Sequence, residues 1–416
     1  MSPSTLPTIL LVQNHYLLEG GEDRVFRMER RLLEERGHRV LTYTRHNEEL
    51  QRIPAWRAAL DTLWNGRAAR ELEALVRAQG IQVVHFHNTF PRISPAAYRA
   101  VRRGGAATVQ TLHNQRLLCA NAFLFRNGRP CQRCLGARLP LPALRHRCYR
   151  SSLSSTAVVV LMQFLHRILG TWMLEVDAYI SLTEGARTRF TESLLPPDKV
   201  HVLGNFLPTE SAASPVPPQG PALFLGRLEE AKGLRTLLRV WERDGDRLMP
   251  LVIAGNGPLA GEVRAASAKN PRIRYAGFCR QGEIQSLLTG ASILLLPSEC
   301  CEGFPMTLLE ARAAGRPVLA SRTASLEELI DSGRDGWLAE PAQPGDWAER
   351  LRGLVQAPEL LVSAGAQARL RFLRDSTGPA HYEGLMRIYG EALASLPSPQ
   401  APFRHPLTAE AREGQA

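Results

Sequence analysis

The chain has 416 residues, 44% hydrophobic and 22% charged, which at roughly 100–200 residues per domain predicts two to three domains and excludes a disordered chain, a collagen and a small disulfide scaffold. The net charge of +11 is unevenly spread: residues up to Asn205 carry 28 basic and 16 acidic side chains, the remainder 23 and 24. A basic first half next to a neutral second half predicts that the first half meets something anionic.

In chain order, Met1 to Leu11 lacks the basic region of a secretory signal. Ile9–Val12 reads as a short buried strand, followed by a glycine loop (Glu19-Gly20-Gly21) and an amphipathic helix that runs through Glu35 and ends at Gly37. Strands are predicted at Arg39–Thr44, Val83–His87, Thr108–Leu112 and Ala178–Leu182, with helical segments between them. Between Glu73 and Glu175 there is no Asp or Glu, while 14 arginines run from Arg77 to Arg167. Arginine outnumbers lysine 48 to three overall, a bias that does not account for missing acids. The longest apolar stretch, Ala157 to Leu165, is interrupted by Gln163 and falls short of the ~20 residues of a spanning helix. The expected location is the cytoplasm, with peripheral contact at the inner membrane face left open.

Pro208 to Pro221, rich in Pro, Ser and Ala, reads as a linker. The alternation then restarts with strands at Ala222–Leu225, Leu251–Ala254, Ile293–Leu296 and Pro317–Ala320, and helices near 345–357, 360–373 and 380–394. The pattern is α/β: two Rossmann-like domains with parallel sheets facing a central cleft, whose ligands bind beyond the carboxyl ends of the strands. The expected layout is a first domain over 1–207 with an insertion at about 114–150, a linker over 208–220, and a second domain over 221–378. A helix at 379–396 packs back toward the first domain, and 397–416 forms a disordered tail.

Gly226-Arg227-Leu-Glu-Glu-Ala-Lys232-Gly233 falls where a strand ends and a helix begins, a place for a diphosphate held by helix amides and two cations. The bland alternative is a turn with two solvated charges, against which the scarcity of lysine weighs. In Glu302-Gly303-Phe304-Pro305-Met306-Thr-Leu-Leu-Glu310, Pro305 suits the first turn of a helix and Gly303 allows close backbone approach to a ligand. Glu310 then lies inside the helix and Glu302 in the loop before it; if all eight steps were helical, the two carboxylates would stand ~12 Å apart at 1.5 Å per residue. That exceeds the ~5–9.5 Å of glycosidase acid–base pairs, so each carboxylate is assigned its own ligand group.

These motifs, together with Gly255-Asn-Gly-Pro258, Gly315-Arg-Pro-Val318 and Gly333-Arg-Asp-Gly-Trp-Leu338, make the sequence resemble a family 4 retaining glycosyltransferase of the GT-B fold over residues ~7 to ~395. The resemblance implies that Arg227 and Lys232 hold the diphosphate of a UDP- or GDP-linked sugar. It also implies that Glu310 binds the ribose, that Glu302 sits by the sugar ring, and that the backbone of Gly303, Phe304, Pro305 and Met306 contacts sugar and phosphate. Gly226 would belong to the donor site, Gly20 and Gly21 would approach the phosphate from the other side of the cleft, His113 would contact the sugar, and Phe278 would lie near the base. Catalysis would need no metal, the two cations filling that electrostatic role. For His85 and His87, alternating at a strand end, a structural role outweighs a place in the cleft.

Cys119, Cys131, Cys134 and Cys148 fall inside the acid-free span with a central Cys-x2-Cys, a spacing that fits a structural zinc and equally four idle thiols. Nearby arginines are expected to stabilise their thiolates. Cys300 and Cys301 are expected to line the cleft. The basic surface and the apolar helix Thr156 to Trp172 point to a lipid-linked or saccharide acceptor at an anionic membrane surface, as in bacterial polysaccharide or glycolipid assembly. Two alternatives remain: a GT-B sugar-nucleotide epimerase, which would isomerise the donor without an acceptor, and a nucleic-acid-binding protein, disfavoured by the lack of an aromatic platform or recognition motif.

Overall fold

The computed structural model describes residues 6–17, 20–207 and 213–396; the tail over 397–416 and most of the linker's first half lie outside these. Strands follow as β1 (Ile9–His15), β2 (Val40–His46), β3 (Val83–Phe86), β4 (Ala107–Leu112), β5 (Phe125–Arg126), β6 (Arg129–Pro130), β7 (Ala178–Ser181) and β8 (Val200–Val202). The second half contributes β9 (Ala222–Leu225), β10 (Leu251–Ala254), β11 (Ile273–Gly277), β12 (Ile293–Leu296), β13 (Val318–Ser321) and β14 (Gly336–Ala339). They form two six-stranded sheets, ordered β2-β1-β3-β4-β7-β8 and β11-β10-β9-β12-β13-β14, and a separate β5-β6 hairpin. Every pair within the two large sheets is parallel.

Both faces of each sheet are covered, which is why the central strands are continuous apolar runs. In β1, Leu10 and Val12 pack into one core while Ile9 and Leu11 pack into the other. In β9, Ala222 and Phe224 face one side and Leu223 and Leu225 the opposite side. The helix Gly378–Ala394 lies on the first sheet, where Leu385, Ile388, Tyr389 and Ala392 join Ile9, Leu11, Val83 and Ile180 in one cluster. The apolar segment Thr156 to Trp172 is two helices, Leu153–Ile168 and Thr171–Leu174, broken at Gly170, whose φ is +62°. No helix among the described residues is long and apolar enough to cross a membrane.

The strand order of each sheet reverses at one point, between β1 and β3 in the first and between β9 and β12 in the second. Ligands of doubly wound sheets bind in the crevice at such switch points. An apolar seam of Val25, Met28, Leu32, Phe206, Leu207, Leu309, Ala313 and Phe372 joins the two domains beside these crevices.

Candidate active site

At the second switch point, Lys232 Nζ lies 2.5 Å from Glu302 Oε1, and Ser298 also donates to that oxygen. The chain makes this pairing possible through glycine: Gly233 has φ +67°, and a Cβ there would fall 1.8 Å from Pro297 O. Gly255 has φ +141°, and its Cβ would meet Gly226 O at 1.8 Å, so the loops after β9 and β10 touch backbone to backbone. Burial alone would raise the Glu302 carboxyl, but Lys232 and Ser298 hold it below its ordinary range; Glu302 in turn raises Lys232 against its own burial. Arg227 stays outside this pair, half exposed and 3.4 Å from Glu229 of its own loop. Phe278, just past the end of β11, is 76% exposed.

The helix that follows Glu302 runs only over Met306–Ala313. Pro305 is its extended N-cap, so it precedes the first turn, and Glu302 lies in the loop four residues ahead of the helix. As expected, Glu310 lies in the helix and Glu302 in the loop before it. Glu310 is buried and accepts from Arg24 of the first domain, with Gln281 Nε2 at 3.4 Å. The close approach at Gly303 is to protein: a Cβ would stand 3.1 Å from His113 O. Phe304 packs against Gly204, and its carbonyl accepts from Asn205 Nδ2 at 2.9 Å. A Cβ at Gly21 would lie 3.5 Å from Met306 Cγ. The cleft thus brings Gly21, His113, Gly303, Phe304, Met306 and Glu310 to one seam, with Lys232 and Glu302 at its second-domain end and Arg227 and Phe278 apart.

On the first-domain side, Asp23 ties down the glycine loop, accepting from Gly20 N at 2.9 Å, Gln13 Nε2 at 2.9 Å and His15 Nδ1 at 2.7 Å. Next to it, Glu22 accepts from Asn88 Nδ2 at 2.9 Å, with Asn114 Nδ2 at 3.4 Å. Burial, reinforced by the Asp23 charge, pushes Glu22 up to about 8. His113 Nε2 and His87 Nδ1 lie 3.0 Å apart. His87 Nε2 is 3.2 Å from Glu29 Oε2, and Glu29 Oε1 is 3.0 Å from His381 Nε2 on the C-terminal helix. His85 bonds Tyr389 and Thr111, giving it the structural role expected, whereas His87 also touches the cleft histidine. Burial, with His87 beside it, lowers His113 to about 3, so its imidazole is neutral. Glu22, Arg24, Glu29 and Asn88 went unrecognised in the sequence. Only Glu22 and Arg24 had a local signal, their place directly after Gly20-Gly21.

Two further motifs serve the fold. Arg316 of Gly-Arg-Pro-Val is fully buried and donates to the carbonyls of Leu288 and Thr289. Asp335 of Gly-Arg-Asp-Gly pairs with Arg312 at 3.1 Å and Arg371 at 2.9 Å. Cys300 is buried, and Cys301 is half-buried beside Arg189 of the first domain. Arg77, Arg92, Arg99, Arg102 and Arg103 pair with acids on either side of the acid-free span. The seven arginines from Arg126 to Arg150 form no ion pair among the described residues.

Those seven lie in the four-cysteine lobe. Its cysteines are free thiols lining one cavity. Contrary to expectation, burial and the neighbouring thiols, Cys119 first, push Cys134 up to about 11; Cys148 rises for the same reasons, with Arg126 only partly opposing it. Burial outweighs the arginines here because their heads lie mostly in solvent.

Two doubly wound domains meeting carboxyl edge to carboxyl edge across a cleft are the GT-B arrangement. The fold is shared, at 14% identity and a TM-score of 0.63, with HepE from Anabaena in complex with UDP, over 92% of this chain and 99% of that one. It is shared likewise with a glycosyltransferase from Rickettsia africae ESF-5 (15% identity, TM-score 0.67, 94% and 99%) and a sucrose-phosphate synthase from Thermosynechococcus elongatus (16%, 0.67, 94% and 100%). The chain carries two glycosyltransferase domains: residues 19–211 match Glycosyltransferase Family 4 and residues 221–357 match Glycosyl transferases group 1. Among curated relatives, a D-inositol 3-phosphate glycosyltransferase of Corynebacterium jeikeium (strain K411) is 31% identical over 40% of this chain and 42% of its own length. The amylovoran biosynthesis glycosyltransferase AmsK of Erwinia amylovora is 32% identical over 40% and 43%. The chain thus spans about two-fifths of the length of the curated relatives it matches.

Proposed function

We propose that the chain transfers a sugar, with retention, from a UDP- or GDP-linked donor to a saccharide or lipid-linked acceptor held by the first domain. The observation that carries this reading is the Lys232–Glu302 pair at the second switch point, facing the Gly21–His113 wall across the cleft. Lys232 and the exposed Arg227 take the diphosphate, and the first amides of the helix Met306–Ala313 complement its charge. Glu302 lies by the sugar ring, neutral His113 donates or accepts a hydrogen bond to a sugar hydroxyl, and Glu310 exchanges Arg24 for the ribose. The anomeric carbon–phosphate oxygen bond breaks as the acceptor oxygen bonds to the same face. The acceptor proton passes to the departing phosphate, whose charge the two cations stabilise. The reaction requires no catalytic metal in this reading. Nucleic acid is not a partner.

Trp56, Leu60, Leu161, Ile168 and Met173 are exposed on the helices Ala55–Leu63, Leu153–Ile168 and Thr171–Leu174. Together with the lobe's arginines that form no ion pair, these exposed side chains support peripheral contact with an anionic membrane on the cytoplasmic side, where a lipid-linked acceptor of bacterial polysaccharide or glycolipid assembly resides. The test is to follow nucleoside diphosphate release from UDP- and GDP-sugars with bacterial lipid extracts as acceptor. Acceptor-dependent release that is lost in Lys232→Ala supports the reading. Donor isomerisation without acceptor, or no turnover of any donor, refutes it.

A further inference from the structure

We propose that Cys119, Cys131, Cys134 and Cys148 bind one zinc ion as thiolates, and that this ion fastens the β5-β6 hairpin over the mouth of the cleft. The four cysteines come from separate stretches of a lobe spanning about 114–150, yet all line a single cavity of ≈ 20 Å³. That volume suits one atom-sized guest and no organic ligand. Cys-x2-Cys with two further thiols is a donor set that zinc favours over harder cations.

The surroundings fit the charge of such a centre. Zinc with four thiolates carries a net charge of −2, and the cavity lining holds one arginine, Arg126, and no carboxylate. Arg126 lines the cavity, and its Nε is buried without a hydrogen-bond partner. Arg167, within electrostatic reach of Cys134, also has an orphaned buried Nε. The Arg126 N–H is a donor that a thiolate sulfur would satisfy, as outer groups around metal sites commonly do, and the Arg167 charge adds to the field around Cys134. A carboxylate in the lobe would oppose a dianionic centre, and residues 114–150 carry none.

The lobe also needs an organiser. Its only strands are two residues each, and Ala122, Leu124, Asn127, Arg147, Arg150 and Ser151 all have positive φ, a conformation that persists only where the surroundings impose it. No three of the four sulfurs lie within 4.8 Å of one another among the described residues. Tetrahedral bonds of about 2.3 Å require sulfurs about 3.8 Å apart, so binding contracts the lobe and releases the thiol protons to solvent. The hairpin tip reaches the other domain: a Cβ at Gly128 would stand 4.0 Å from Glu230 Oε1, in the loop that carries Lys232. The hairpin's role rests on the donor-site reading above; the metal site does not.

The test is elemental analysis of the full chain purified without a metal-affinity step, with thiols counted in denaturant. Zinc at about one equivalent, with Cys131→Ser and Cys148→Ser each below about a tenth of that and Cys279→Ser unchanged, supports the site. Because a ligand variant can misfold, the unmodified chain grown on cobalt gives a second readout: visible bands of tetrahedral thiolate-bound cobalt. Substoichiometric zinc with seven free thiols, fewer than seven free thiols, or iron in place of zinc overturns the proposal. Removing zinc should speed proteolysis within the lobe about tenfold or more and weaken UDP binding about fivefold, through lost preorganisation. Bound zinc whose removal leaves UDP affinity unchanged overturns the hairpin's role alone. Failure of both UDP and GDP to bind with zinc present counts against the donor-site reading instead.

Discussion

Glu22 offers a prediction whose sign and size follow from its surroundings. Its carboxyl sits at the glycine loop with Asp23 next to it and Asn88 and Asn114 donating to it, while Arg116 and Tyr16 complete its electrostatic environment. The folded value of about 8 lies above the ordinary 4.5. A raised acid stabilises the fold fully below its unfolded value, and that stabilisation is lost as pH rises through the folded value. From about pH 5.5 to 7.5 the slope approaches 1.4 kcal/mol per pH unit, and because the carboxyl is partly solvated the expected loss is about 2 kcal/mol. Glu22→Gln keeps a neutral side chain of the same shape and removes the titration. Urea unfolding of both proteins across this range should therefore show a difference that grows with pH in favour of the variant, reaching about 2 kcal/mol. A difference that stays constant across pH would refute the reasoning.

Lys232→Ala leaves Glu302 partly buried with only Ser298 as partner; it should cost about 1–3 kcal/mol in stability and weaken UDP binding tenfold or more by calorimetry, so an unchanged Kd would sink the phosphate assignment. Gly255→Ala pushes a methyl into Gly226 O and should lower stability by about 2 kcal/mol or more while loosening the donor loop, read as a fall in Tm. Replacing Trp56 and Ile168 together with Ser should abolish co-sedimentation with anionic vesicles and leave UDP binding intact; binding that persists would move the membrane contact elsewhere.

The central strands were legible because a parallel strand buried on both faces must be apolar throughout, as in Ile9–Val12, Ala222–Leu225 and Ile293–Leu296. β8 and β11 escaped notice because they lie at sheet edges and carry polar residues, His201 in one and Arg274 in the other. β14 overlaps the Gly333–Leu338 motif, whose two glycines break the apolar run that marks a strand. Lys232 and Glu302 could be singled out from scarcity and spacing, but Arg24 meets Glu310 across 286 residues, and no local pattern marks that partner. The glycines could be picked out, but not the backbone they admit: the His113 carbonyl lies against Gly303 and the Gly226 carbonyl against Gly255.

The C-terminal helix has a consequence for how the molecule is made. Leu385, Ile388 and Tyr389 form one wall of the first domain's core, and His381 and Tyr389 bond to Glu29 and His85 inside it. During synthesis, the first domain therefore emerges with one face of its sheet only partly covered, by Phe26 and Leu33 of the helix Gly21–Glu35, and the rest of that face stays open until some 170 later residues of the second domain have been translated. The two domains cannot complete folding in the order in which they leave the ribosome: the first to be made is the last to be sealed. A premature stop before Gly378 would expose Ile9, Leu11, Val83 and Ile180 together, so a truncated product should aggregate through its first domain while its donor-side sheet remains whole.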